Sequence, residues 1–264
     1  MVNITFFEDT KGWSAPKRYM KYILVYCIEG NMTVVVDDKT INLKSNDVLT
    51  ITSGQYHYFK NSSKVKGVIL DFTLDFYCKS NFDIELIFEN GLFCHFDRNE
   101  VIPMGNRQSV YEQLCMINEE INKQPYQFLT AIHARITLIL TEINRAKIDQ
   151  GAEIWKPDAL FLKFLEMVRN NFHHNYSLQT LTDKLNTTVS KLNEQAKTYA
   201  GKTAQNVIYG LIISEAKRLL QYEKHLSVKE IAFKLGFNDP FYFSNFFKKH
   251  AKLSPKSFQK QFVK

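Results

Sequence analysis

Between Asp239 and Lys249 the chain reads Asp-Pro-Phe-Tyr-Phe-Ser-Asn-Phe-Phe-Lys-Lys, and helical spacing sorts these side chains into two sets. Phe243, Phe246 and Phe247 recur at i, i+3 and i+4 and are expected to face inward. Phe241, Ser244, Asn245, Lys248 and Lys249 remain around the outside, a surface of hydrogen-bonding and cationic groups. Such a surface suits a polyanion that also presents donors and acceptors, as double-stranded DNA does in its major groove. The flanking residues would aim it there. Ser227-Val-Lys-Glu230 reads as a capping box that opens a preceding helix. Ile231, Ala232 and Leu235 form that helix's apolar face, and Gly236 sits where it stops. Asp239 then caps the second helix, with Pro240 at its first position. Two short helices meeting at a small residue, the second with a cationic face, make a helix-turn-helix.

A second such unit is legible upstream. Ser177 caps a helix through Leu178, Leu181 and Leu185; Asn186-Thr187-Thr188 forms a turn, and Val189, Leu192 and Ala196 line a second helix that Gly201 ends. Between the units, Ala204–Tyr222 carries Val207, Ile208, Leu211, Ile212, Ala216, Leu219 and Leu220 at helical spacing. A helix of that length would hold the two units at a fixed distance.

Charge follows the same division. Residues 151–264 contain 18 Lys+Arg against 9 Asp+Glu, whereas residues 1–150 contain 16 against 18. Positive charge confined to one part of the chain is the electrostatic footprint of a polyanion partner.

The first part reads differently. Tyr22–Ile28, Met32–Val36, Thr40–Leu43, Asp47–Thr52, Tyr56–Lys60 and Val65–Phe72 are short β-rich runs, with breaks expected at Glu29-Gly30-Asn31 and Asp37-Asp38. Strands this short and this often interrupted suggest an antiparallel sandwich or barrel. Residues 81–100 fit neither strand nor exposed loop, with Phe82, Phe88, Phe93 and Phe96 among them. From Ser109 the period becomes helical: Val110, Leu114, Ile117 and Ile121, then, after Gln124-Pro125, Phe128, Ile132, Ile136, Ile139 and Ile143. These two helices form a hairpin that either supplies a dimer surface or covers the sheet. The expected domains are therefore residues 1–104, a helical hairpin 105–147, a linker 148–157, and a helical domain 158–264.

Cys27, Cys78, Cys94 and Cys115 form no CxxC pair and read as small buried thiols in a reducing compartment. Met1-Val-Asn-Ile lacks a basic, apolar leader pattern, and no apolar run approaches the ~20 residues of a membrane helix. A cytoplasmic, nucleoid-associated protein without membrane contact is the expectation.

The second half also resembles a known family. Gly201-Lys202-Thr203, Glu215-Ala-Lys-Arg-Leu-Leu220, and the block from Ile231-Ala through Leu235-Gly-Phe237-Asn-Asp-Pro240 to Tyr242-Phe-Ser244 and Phe247-Lys-Lys249 are similar in residue and spacing to the AraC/XylS transcription regulators, over about residues 160–262. Glu29-Gly30, Asn46-Asp47 and Gly54-x-x-His57 resemble that family's cupin-like effector domain. The resemblance implies an α+β two-domain chain: a cupin-like antiparallel β-barrel with a helical hairpin, then an all-α domain of two helix-turn-helix units joined by a linker helix. It further implies a promoter-binding regulator, a homodimer, an activator that touches RNA polymerase, and a small-molecule effector. There are departures. Gln195-Ala196 stands where the family has an apolar pair, Glu194 where arginine is common, Lys252 in place of glycine, and Gln259 in place of arginine.

Matched position by position, the first recognition helix would present Ser190, Asn193 and Glu194 to base edges, with Lys191 and Lys197 near phosphates. Asn pairs bidentately with adenine, and Glu accepts from cytosine N4. Glu194 is either such a reader or a surface charge paired with Lys191 or Lys197. In the second helix Phe241 and Asn245 take the base-facing positions, Phe241 against a thymine methyl or buried beside Tyr242. Ser244, Lys248 and Lys249 face the backbone, which fixes register without reading sequence. For an effector, Tyr22, Tyr26 and His57 are the pocket candidates, with Tyr56, Tyr58 and Phe59 as further aromatic lining or core filling.

Two other function classes are weighed. A cupin-type metalloenzyme needs His and carboxylate ligands on neighbouring strands. His57 is the only histidine before His95, so no metal, cofactor or catalytic residue is expected. An architectural or RNA-binding protein would bind without sequence preference, which two spaced recognition helices do not require.

Overall fold

Tyr22–Val36 forms one continuous strand, running through the break expected at Glu29-Gly30-Asn31. The polar tripeptide is a bulge instead: register against the neighbouring strand shifts between Cys27 and Glu29. Gly30 takes a φ of +86°, and a Cβ there would stand 2.2 Å from the Lys64 carbonyl oxygen, so only glycine fits. This is a computed structural model; it describes residues 1–262 apart from 38, 61, 63, 94–98, 106–107 and 152–156. The chain divides into two compact units, Met1–Lys156 and Pro157–Lys264.

In the first unit the strands are β1 Val2–Phe7, β2 Lys17–Arg18, β3 Tyr22–Val36, β4 Lys39–Lys44, β5 Asp47–Ile51, β6 Tyr56–Phe59, β7 Val65–Phe72 and β8 Val101–Pro103. All described pairings are antiparallel. The bulge lets β3 serve two layers. Its first half pairs with β5 and β7, and its second half with β4 and β6. Ile23, Val25 and Cys27 from one half meet Met32, Val34 and Val36 from the other, together with Leu43, Leu49, Ile51 and Phe59, in one core.

The opposite face of β3 is buried as well. Tyr22 packs edge-on to Phe88 and Phe93, at 5.6 and 5.2 Å between ring centroids. Phe88 ends α2 (Asn81–Phe88), which follows the short α1 (Leu74–Tyr77). A capping box of Ser80 and Asp83 opens α2, which resolves the aromatic stretch that fitted neither strand nor loop. Phe82 is exposed, while Cys94, His95 and Phe96 lie outside the described residues. The hairpin is α3 Gln108–Lys123 and α4 Phe128–Asp149. Val110, Leu114 and Ile117 pair with the Ile132, Ile136, Ile139 and Ile143 stripe in its buried seam. Residues 152–156 of the expected linker lie outside the described residues.

The second unit is helical: α5 Ala159–Asn170, α6 Leu178–Lys184, α7 Val189–Ala200, α8 Ala204–Tyr222, α9 Val228–Lys234, α10 Pro240–Ala251 and α11 Pro255–Lys260. Helix α8 is central, packing against α5, α7, α9, α10 and α11. The apolar positions read from its sequence are all buried. Burial of Glu215 and Arg218 on the same helix, 3.7 Å apart, keeps opposite charges together inside. No described helix is long and apolar enough to cross a membrane.

Candidate nucleic-acid interface

Each recognition helix starts at a side-chain cap that satisfies otherwise orphaned amides. Thr188 Oγ1 accepts from Lys191 N at 3.2 Å for α7, and Asp239 Oδ1 accepts from Phe241 N at 2.8 Å for α10. The helices before them open with Ser177 and with the Ser227–Glu230 capping box. The turns that set the angle both use left-handed backbone, at Asn186 (φ 51°) and Gly236 (φ 74°). At Gly236 a Cβ would meet the His173 carbonyl oxygen at 2.7 Å, so the second turn lies flat against the loop that follows α5.

Leu192, Gln195 and Ala196 are the buried side of α7; Ser190, Lys191, Glu194 and Lys197 are exposed. Lys191 Nζ lies 3.2 Å from Glu194 Oε2, an exposed pair that water screens. Asn193 is half-buried, and its Oδ1 accepts from Ala204 N at 3.0 Å. The Gln195 carboxamide stands where the resemblance implies an apolar residue, its Oε1 buried with no hydrogen-bond partner among the described residues.

On α10, Phe243 and Phe247 are fully buried and Phe246 half-buried, its ring 5.3 Å from Tyr209 of α8. Phe241 is 80% exposed, so it does not pack into the unit's core. Asn245, Lys248 and Lys249 are exposed beside it. Ser244 is half-buried and donates to the Pro240 carbonyl at 2.8 Å. Lys252 closes α10 in the left-handed region at φ 64°, where glycine is the unstrained residue. Burial first, then Lys249 and Lys252, holds the His250 imidazole below its ordinary range, so it adds no charge to this face near neutral pH. Exposed Phe233 and Tyr242 also belong to the second unit's surface. Neither was expected there from the sequence, where helical spacing alone does not separate a solvent-facing aromatic from a core one.

The first unit holds a cavity of about 350 Å³ lined by Asn3, Trp13, Lys17, Tyr19, Lys21, Ile23, His57, Tyr58, Phe59 and Asp71, among others. Of the three pocket candidates, only His57 lines it. Tyr22 and Tyr26 alternate with Ile23 along β3 and so point to the other face, Tyr22 into the aromatic cluster and Tyr26 to Asn46 Oδ1 at 3.0 Å. Lys21 Nζ lies 2.5 Å from Asp71 Oδ1 at the cavity wall. Burial keeps His57 below the ordinary imidazole value, and Lys17 adds to that. No group of three or more His, Cys, Asp or Glu able to hold a metal occurs among the described residues.

Residues 181–261 match a helix-turn-helix domain, and residues 11–73 match a cupin domain. The chain is 33% identical over 158 residues to the xylose operon regulatory protein of Haemophilus influenzae, covering 60% of this chain and 39% of that one. It is 26% identical over 162 residues to the HTH-type transcriptional activator RhaS of an Enterobacter species, covering 61% and 57%. RhaS of Mannheimia succiniciproducens is 24% identical over 218 residues, covering 79% and 75%. The match thus spans less than two thirds of the first two relatives. The chain thus carries a cupin match followed by a helix-turn-helix match, and the relatives named here are a regulatory protein and transcriptional activators. In its two domain matches and in these relatives the chain is similar to the AraC/XylS regulators.

Proposed function

We propose that this chain is a sequence-specific DNA-binding regulator of transcription that inserts α7 and α10 into successive major grooves. One observation carries the reading: two capped recognition helices are packed on one buried helix, α8, with polar and basic residues outward. Helices so used read sites about one turn, ~34 Å, apart, so one chain covers an asymmetric site. Ser190, Glu194, Phe241 and Asn245 are the groups to meet base edges; Lys191, Lys197, Lys248 and Lys249 are those to meet phosphates. Ser244 would have to give up its bond to Pro240 to donate to a phosphate. Glu194 would likewise have to leave Lys191 to accept from a base.

The cavity supports a small-molecule effector. Its volume lies within the usual range for ligand sites, and its aromatic walls with lysine, imidazole and carboxylate groups suit a compact polar molecule. Exposed Met116, Leu129 and Leu138 on the hairpin support a homodimer formed there. Relatives named as transcriptional activators support activation, and contact with RNA polymerase in the bacterial cytoplasm is part of the same proposal.

The test is selection of bound fragments from random duplex DNA with the full chain at physiological salt. A motif of two blocks one helical turn apart is expected. Recovery of fragments with no common sequence would overturn the reading.

A further inference from the structure

Asn193 was matched to a base-facing position, but its oxygen is already engaged. Its Oδ1 accepts from the backbone N–H of Ala204, the first residue of α8, at 3.0 Å. An N–H can bond only the oxygen of a carboxamide, so the side chain's orientation is fixed by its partner. Bidentate pairing with adenine needs that same oxygen to accept from the base.

The second unit shows why the bond exists. Each recognition helix is followed by a hydroxyl-capped helix: Thr203 caps α8, and Ser254 caps α11. A new helix leaves its first amides without an intrahelical acceptor. At α11 the first residue is Pro255, which has no N–H to satisfy. Ser244, one helical position before Asn245 as Asn193 is before Glu194, accordingly turns back to its own helix at Pro240. At α8 the first residue is Ala204, fully buried, whose N–H would be stranded away from water. Asn193 supplies the acceptor, and in doing so ties α7 to the start of α8.

We infer that Asn193 is a positioning residue that latches the first recognition helix to the central helix, and that it does not read a base. The inference rests on the DNA-binding reading above. It leaves Ser190 and Glu194 as the first helix's readers.

The test compares Asn193→Ala and Asn193→Asp in the full chain. Aspartate keeps the acceptor, and its charge is favourable at a helix N-terminus, but it cannot donate to adenine N7. Three quantities are read: exchange protection of the Ala204 amide, the melting midpoint of the helical unit, and relative affinity across single-base variants of the selected site. The latch requires Asn193→Ala to lose the Ala204 protection and lower the midpoint by about 4 °C or more. It requires Asn193→Asp to keep both, and each variant to leave the relative affinities unchanged within about twofold, a small fraction of the ~1–3 kcal/mol a lost base contact costs. A changed base preference in either variant overturns it, as does Asn193→Ala with unaltered protection or Asn193→Asp without rescue. The exchange and melting arms need no DNA, so they decide the latch even if selection finds no site.

Discussion

The Lys147 ammonium reaches from the last turn of α4 to the backbone carbonyl of Asn90, 57 residues earlier, at 2.6 Å. The same ammonium lies 3.0 Å from Glu100 Oε2. The two partners differ in exposure: Asn90 is buried, whereas the Glu100 side chain is 58% exposed. Water can replace the carboxylate, but it has no access to the carbonyl. Lys147→Met removes a buried charged donor and should therefore cost about 1–3 kcal/mol. Glu100→Gln should cost less than about 1 kcal/mol, as screened pairs do. Urea titration of the first unit checks the ranking, and equal effects would refute it.

Two glycines in left-handed backbone should respond unequally to alanine. Gly201 has open space around it, so Gly201→Ala carries only the backbone penalty of roughly 1–2 kcal/mol. Gly236→Ala adds contact with backbone and side-chain atoms of His173 and Asn175 at 2.7–2.9 Å. It should destabilise the helical unit by about 3 kcal/mol or more, the sum of that strain and overpacking. Melting of the two variants side by side is the measurement.

In DNA binding, Asn245→Ala should cost about 1–3 kcal/mol at one base position and leave the others unchanged. Lys248→Ala should weaken every sequence alike and reduce the slope of log K against log salt by about 1. Binding titrations at several salt concentrations separate the two. If Asn245→Ala weakened all sequences equally, α10 would not be placed as proposed.

The cavity histidine gives a pH signature with a defined sign. Burial holds His57 below its ordinary value of 6.5, so the unfolded chain binds a proton more readily than the folded one. Stability contributed by the neutral ring is complete above pH 6.5 and declines as pH falls toward the folded value. His57→Gln should flatten the acid side of the first unit's stability profile in that window. An unchanged profile would show that His57 does not titrate differently on folding.

The helical unit was legible because its signals are local. Ser177, Ser227 with Glu230, and Asp239 each act within a few residues and form the expected start of a helix, and Thr188, read as part of a turn, caps α7 as well. The helix Ala204–Tyr222 was legible from its apolar spacing, and Thr203 caps its start. What was hidden depends on partners far along the chain. Asn193 was legible as a polar residue on a recognition helix, but its bond to Ala204 spans a turn and a second cap. On β3, Tyr22–Cys27 is buried on both faces, so alternation could not say which side faces the cavity. Trp13, Lys17 and Tyr19 lie in a stretch with little strand pattern, yet they line the cavity with His57.

A single strand shared by two layers also sets the order in which the chain can assemble. Neither layer of the first unit has a complete set of strands without β3, and the edge strand β1 joins only when Val2 finds Phe72. Such distant pairings pay loop-closure entropy before any pairing energy returns. In the helical unit, contacts between neighbouring elements such as α6 with α7 and α9 with α10 stand beside longer-range ones that run through α8. The first unit therefore cannot organise stepwise along the chain, because each of its layers waits on β3 and on the strands that pair with it.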